Sequence, residues 1–207
     1  MVFRDFIHMI LDLILASGSE IRADLLRAAG LVIQIESPKV DEIAIRQALE
    51  LDQASPRDIA DTLAESKAQK IARKFPQALV LGCDQVLDLD GALLSKPATA
   101  DQAREQLTQL RGKTHRLLSA AVLYQNAEPI WRHVSTARLT MRDFSDDYLD
   151  QYVARNWPDI GSSVGSYKLE KEGVRLFSQI QGDHFTILGL PLLELLNYLT
   201  LRGVIAG

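Results

Sequence analysis

Short apolar runs alternate along this chain with segments whose apolar residues recur every three or four positions. The first pattern is that of buried strands, the second that of helices with one buried face. No repeat, low-complexity stretch or Pro/Gly-rich linker interrupts the alternation. It predicts an α/β fold: a mixed, twisted sheet flanked by helices, in one compact unit with two lobes around a cleft. Strands are expected at 11–16, 31–37, 114–124, 132–141 and 174–182. A further buried strand and hairpin span 78–94, turning at Asp90-Gly91. Helices are expected at 20–29, 55–75, 99–112, 145–155 and 191–203.

Local signals support these bounds. Ile21, Leu25 and Ala28 lie on one helical face, and Gly30 is a natural stop. Pro56 suits a first helical turn, with Ile59, Leu63 and Ile71 on the buried face. Thr99 and Gln102 form a capping pair, Gly112 ends that helix, and Ser145 caps the next. The stretch "SPKVDEIAIR" reads as a polar loop.

The bulk numbers narrow the function. A chain of 207 residues, 47% hydrophobic and 24% charged, can bury a full core without staples. A net charge of −4 and no basic stripe argue against nucleic acid or an anionic membrane as partner. The single cysteine, Cys83, excludes an internal disulfide and any multi-cysteine metal site, and fits a reducing, cytoplasmic compartment. Arg4, Asp5, His8 and Asp12 break up the apolar start, so neither a signal peptide nor a membrane span is expected there. Residues 1–9 read as an N-terminal extension and 10–207 as a single domain.

The stretch "ASGSEIR" (16–22) joins the first strand to the first helix. Free backbone N–H groups and the helix dipole at such a junction favour an anion. Gly18 permits close approach, Ser17 and Ser19 add hydroxyl donors, and Arg22 can fork onto phosphate oxygens. The same residues permit a second reading: Ser17 and Glu20 as an S-x-x-E capping box with Arg22 a solvated charge. The G-x-x-x-x-G-K spacing of a P-loop is missing.

Asp84 directly follows the buried run "ALVLGC". A carboxylate there is costly without partners and suits a general base or metal ligand, or else an ordinary strand-end turn. Lys67 and Lys96 can each neutralise phosphate oxygens, though either alone also reads as a solvated lysine. Asp41 and Glu42 offer oxygen ligands suited to Mg²⁺ or Mn²⁺, or an exposed acidic turn. His8, His115, His133 and His184 lack metal-ligand spacing, and His115 suits a structural hydrogen bond. Cys83 reads as a small buried residue whose acidic neighbour disfavours the thiolate.

The ordered set "LILASGSEIRADLL", "VDE", "LAESKA", "LGCDQV", "SKP", "LTQLRGKTH", "GSYKLE" and "GLPL" resembles the Maf family over residues 11–203. That family comprises nucleoside triphosphate pyrophosphatases historically called septum formation proteins. The resemblance implies a fold similar to the inosine triphosphate pyrophosphatases. It also implies cleavage between the α- and β-phosphates, and a divalent cation, Mg²⁺ or Mn²⁺. Carried over by position, Ser17, Ser19, Arg22, Lys67 and Lys96 would bind phosphate, and Asp84 would be the catalytic acid. Glu42, with Asp84, would hold the metal.

Base preference is implied by Ile21, Gln85 and Glu170. Gln85 and "GSYKLE" resemble the branch acting on 7-methyl-GTP, and a Glu170 carboxylate favours a cationic methylated base. Ile21 stands where that branch typically has Trp, Glu20 replaces a usual Pro, and Phe185-Thr186 stands where Asn is common. The alternatives are a dTTP/UTP or broad-range pyrophosphatase, a nucleotide sensor without turnover, and a non-catalytic regulator of cell division. The expected partner is a nucleoside triphosphate; a second copy in a homodimer stays open.

Overall fold

The computed structural model describes residues 13–206, so the expected extension at 1–9 and the strand's start at 11 lie outside it. The elements are β1 (Leu13–Ala16), α1 (Glu20–Ala28), β2 (Ile33–Ile35), α2 (Glu42–Leu51), α3 (Pro56–Ala72), β3 (Val80–Leu89) and β4 (Ala92–Leu94). There follow α4 (Ala100–Leu110), β5 (Thr114–Gln125), β6 (Glu128–Met141), α5 (Asp146–Asn156), β7 (Phe177–Gln181), α6 (His184–Ile187) and α7 (Leu192–Leu201). Two 3₁₀ turns, Asp159–Ser162 and Glu172–Leu176, lie between α5 and β7.

The strands form one mixed seven-stranded sheet in the order β2-β1-β3-β5-β6-β7, with β4 paired to β3. β1 runs parallel to both β2 and β3, and the remaining pairs are antiparallel. The long strands β3, β5 and β6 cross the whole molecule, so both lobes share them. At one end α3 packs on one face, through Ile59, Leu63 and Ile71 as expected. Helices α1 and α7 cover the other face there through Ala23, Leu26, Leu195 and Leu199. At the far end α4 and α5 close a separate core over Leu87, Leu117 and Leu139. Each such large aliphatic side chain contributes about 1.5–3 kcal/mol by leaving water.

The expected caps of α4 and α5 form, Thr99 and Ser145 accepting the N–H of Gln102 and Tyr148, and Ser55 caps α3 by accepting the Asp58 N–H. Five expectations need correction. Residues 42–46 are helical, because Asp41 caps α2 by accepting the Ala44 N–H at 3.0 Å. The buried residues of α1 are Ala23 and Leu26, with Ile21 and Leu25 only half-buried and Ala28 exposed. The Ser17–Glu20 capping box is absent: Ser19 is the N-cap, without a side-chain cap bond. β2 covers only Ile33–Ile35. Residues 172–176 form a 3₁₀ turn before β7.

Candidate functional site

The site begins with a gap in the sheet. β1 stops pairing with β3 at Gly82, and β4 starts pairing with it only at Leu87. Between them one edge of β3 has no strand neighbour among the described residues, and a cleft of about 1000 Å³ opens there. It sits at the carboxyl end of β1, where parallel strands commonly present ligands. Arg22 fills part of the gap. Its Nη1 donates to the Cys83 carbonyl at 3.1 Å and to Ser17 Oγ at 3.3 Å, and its Nε donates to the Gly189 carbonyl at 2.7 Å. Gly189 has φ +97°, and a Cβ there would meet Arg22 Nη2 at 3.1 Å. The glycine therefore serves both the turn and the seat of the guanidinium.

Ser17 is buried, and its Oγ also accepts the Ser19 N–H at 3.2 Å. This hydroxyl shapes the β1–α1 turn rather than a capping box. Gly18, Ser19 and Glu20 line the cleft beside it. Arg22 is no free helix charge; it is pinned at the mouth of a turn suited to an anion.

Asp84 lies midway along β3 and is 7% exposed. Lys67 projects from the buried face of α3, its Nζ 2.6 Å from Asp84 Oδ1 and 3.0 Å from Glu42 Oε2. One ammonium thus joins two carboxylates from different elements. Gly82 allows this closeness: a Cβ there would lie 2.6 Å from the Ala68 backbone nitrogen. Burial pushes the Asp84 pKa upward, while the charges of Lys67 and Arg22 pull it back. Cys83 is a buried free thiol pushed up to about 11. Burial is the main cause and Asp84 only a minor one, so the acidic neighbour is not what silences it.

Lys96 stands at the rim after β4, with its residue surface accessible. Crowding around its ammonium, and the nearby positive charges of Arg22 and Lys67, push its pKa down. Clustered cations that repel one another are ready for an anionic ligand. Ile21, Gln85 and the exposed Glu170 also line the cleft. The cleft thus brings together all of the residues singled out from the sequence as binding phosphate, base or metal. Asp41 is the exception among the other acids considered: its carboxylate is spent capping α2.

The donor chemistry fits a small divalent cation. Mg²⁺ is commonly held by one or two carboxylates together with substrate phosphates. Glu42 and Asp84 supply such a pair, and Asp84 Oδ2 and Glu42 Oε1 make no hydrogen bond within the described residues. No cluster of three or more His, Cys, Asp or Glu exists among those residues, so phosphate oxygens would complete the shell.

A family model described as "Maf-like protein" matches residues 12–201. The chain belongs to the Maf-like family. A "Nucleoside triphosphate pyrophosphatase" of Ruegeria sp. (strain TM1040) is 62% identical over 93% of this chain and 97% of its own. One of Caulobacter vibrioides is 50% identical over 92% and 96%. A "7-methyl-GTP pyrophosphatase" of Rhizobium meliloti is 48% identical over 93% and 97%. A solved "Nucleoside-triphosphatase / dITP/XTP pyrophosphatase" from Mycobacterium abscessus aligns over 92% of this chain and 93% of its own. Its 13% identity and TM-score of 0.41 are too loose to add weight.

Two features of this Maf-like protein were not anticipated. Arg46, one helical turn after Glu42, donates to the Leu93 carbonyl at 2.6 Å and to Ser95 Oγ at 2.9 Å. It ties α2 to the strand that leads into Lys96. Its i+4 spacing was a usable signal, hidden by reading that stretch as a loop. Ser119, buried on β5 opposite Gln85, has no sequence signal beyond a polar residue in an apolar strand. The structural bond expected of His115 is present: its Nε2 lies 2.7 Å from the Tyr167 hydroxyl.

Proposed function

We propose that this chain hydrolyses a nucleoside triphosphate between its α- and β-phosphates, releasing a nucleoside monophosphate and pyrophosphate, and that its preferred base is a modified purine such as 7-methylguanine. In class it is a nucleoside triphosphate pyrophosphatase, a hydrolase of acid anhydrides, as its relatives are named. The observation that carries the mechanism is the Lys67 ammonium bridging Asp84 and Glu42 inside the cleft, beside the Ser17–Arg22 turn.

Bringing water to a polyanion needs positive charge at the phosphates and a base for the water proton. The β1–α1 turn, Arg22, Lys67 and Lys96 supply the charge. Asp84 has one oxygen engaged by Lys67 and the other free to orient and deprotonate water. The water oxygen bonds to phosphorus, the bond to the bridging oxygen breaks, and pyrophosphate departs. The proton moves to Asp84. The Lys67 charge opposes the upward push that burial gives that carboxyl's pKa. A divalent cation held by Glu42 and Asp84 would add charge neutralisation.

The base assignment rests on Gln85 and Glu170 and on the relative named 7-methyl-GTP pyrophosphatase. Glu170 offers a carboxylate to a cationic base. Ile21 favours a second reading, a broader range of bases, because an aliphatic side chain cannot stack as an aromatic one does. We place the enzyme in the cytoplasm, consistent with a buried free thiol and with no described helix long and apolar enough to cross a membrane.

The test is a panel of 7-methyl-GTP, GTP, dTTP, UTP, CTP and ITP with Mg²⁺ or Mn²⁺, scored for pyrophosphate. Highest kcat/KM on 7-methyl-GTP supports the base assignment. Preference for dTTP or UTP overturns it and keeps the reaction. Binding without turnover of any member leaves a nucleotide sensor or regulator.

A further inference from the structure

Gln85 meets three oxygen atoms. Its Nε2 donates to Ser119 Oγ at 3.0 Å and to the carbonyls of Thr186 and Ile187 at 3.1 and 3.0 Å. The two carbonyls are pure acceptors. Ser119 Oγ is one as well at this contact, because its own proton goes to the Thr186 carbonyl at 2.7 Å. Turning the amide over would set Oε1 against all three. The amide is therefore fixed with its nitrogen inward, and the hydrogen-bond partners decide that orientation.

The frame behind it is rigid. Ser119 and Thr186 are fully buried, and Asp183 accepts the Thr186 N–H at 2.8 Å. Arg22 holds the same loop at the Gly189 carbonyl. Gln85 Oε1 accepts no hydrogen bond from the described residues and is not sealed from solvent. Gln85 lines the cleft, so the atom it offers there is a carbonyl oxygen.

We infer that Gln85 reads the base only as an acceptor, with Ser119 as its positioning residue, so that the enzyme selects bases presenting an N–H toward β3. The inference rests on the nucleotide-binding reading of the cleft and fixes its hydrogen-bond polarity. Guanine and its 7-methyl derivative carry N1–H and the N2 amine side by side. Hypoxanthine keeps one ring N–H, and unsubstituted purine has none. Glu170, a second acceptor on the cleft wall, adds to the same preference.

The experiment compares GTP, ITP and purine riboside triphosphate as substrates, and their α,β-methylene analogues as ligands by calorimetry. Loss of a hydrogen bond to a half-exposed acceptor predicts kcat/KM and affinity about tenfold lower for the donor-free purine than for GTP. Gln85→Leu should close that ratio to within about twofold, since both nucleotides then meet an apolar wall. Ser119→Ala should narrow it part-way, whereas a general packing defect would lower every nucleotide equally and leave the ratio alone. Equal affinity of wild-type protein for the three bases, or a ratio untouched by Gln85→Leu, overturns the inference. Graded affinity without pyrophosphate release would uphold the polarity and refute the pyrophosphatase reading. Turnover with no donor dependence would do the reverse.

Discussion

Lys67 is the residue on which the site turns. A buried lysine between two carboxylates is tolerated because each charge has a partner. Lys67→Gln removes the cation that pairs with Asp84 and that would meet a phosphate. It should lower kcat/KM about 10²-fold, read as pyrophosphate release under steady-state conditions. A loss under threefold would show that Lys67 is structural only. His115 makes the second residue-scale case. It is fully buried, burial pushes its pKa down to about 4, and its Nδ1 has no hydrogen-bond partner among the described residues. The unfolded chain, at the usual 6.5, binds a proton that the folded chain refuses. Stability is therefore intact above 6.5 and falls as the pH drops toward 4, by about 2 kcal/mol from pH 7 to 5. Urea unfolding at both pH values checks this: His115→Gln should lose that part of the pH dependence, and an unchanged slope would contradict it.

At the scale of elements, two contacts set the geometry. Helix α3 approaches β3 as closely as it does because residue 82 is glycine. Gly82→Ala would push against the backbone of α3, destabilising the fold by about 3 kcal/mol. It would also draw Lys67 from Asp84, so residual activity should fall further than stability does. Wild-type activity in a folded Gly82→Ala protein would sink that account. Helix α2 buries none of its residues fully: Ile45 and Leu49 rest half-buried on the core, and Arg46 ties the helix to β4. Arg46→Ala should release α2 and the loop before Lys96 together. KM should rise more than kcat falls, with about 1 kcal/mol of stability lost; a change confined to kcat would contradict the tether. These elements also show what the sequence could and could not reveal. α3 was legible because Pro56 and the Ile59–Leu63–Ile71 spacing agree. α2 was missed because Asp41-Glu42 read as an acidic turn and its apolar stripe, Ile45 and Leu49, is short and only half-buried against the core. The α1 face was misread because small Ala23 packs inward while larger Ile21 faces the cleft.

For the whole molecule, the alternation of strand and helix patterns was enough to foresee a mixed sheet. The order of short motifs was enough to foresee the family. Spacing alone did not show that the lobes share β3, β5 and β6. Nor did it show that the gap between β1 and β4 on β3 makes the cleft. Both follow from pairing between residues far apart in sequence. The fold gathers Ser17, Arg22, Lys67, Asp84 and Lys96 into one cleft, which none of them signals singly. The most direct measurement identifies the products of 7-methyl-GTP or GTP turnover by wild-type protein and by Asp84→Asn. Nucleoside monophosphate and pyrophosphate in equal amounts, lost in Asp84→Asn, is the outcome this account predicts. Nucleoside diphosphate with orthophosphate, or undiminished turnover by Asp84→Asn, would contradict it.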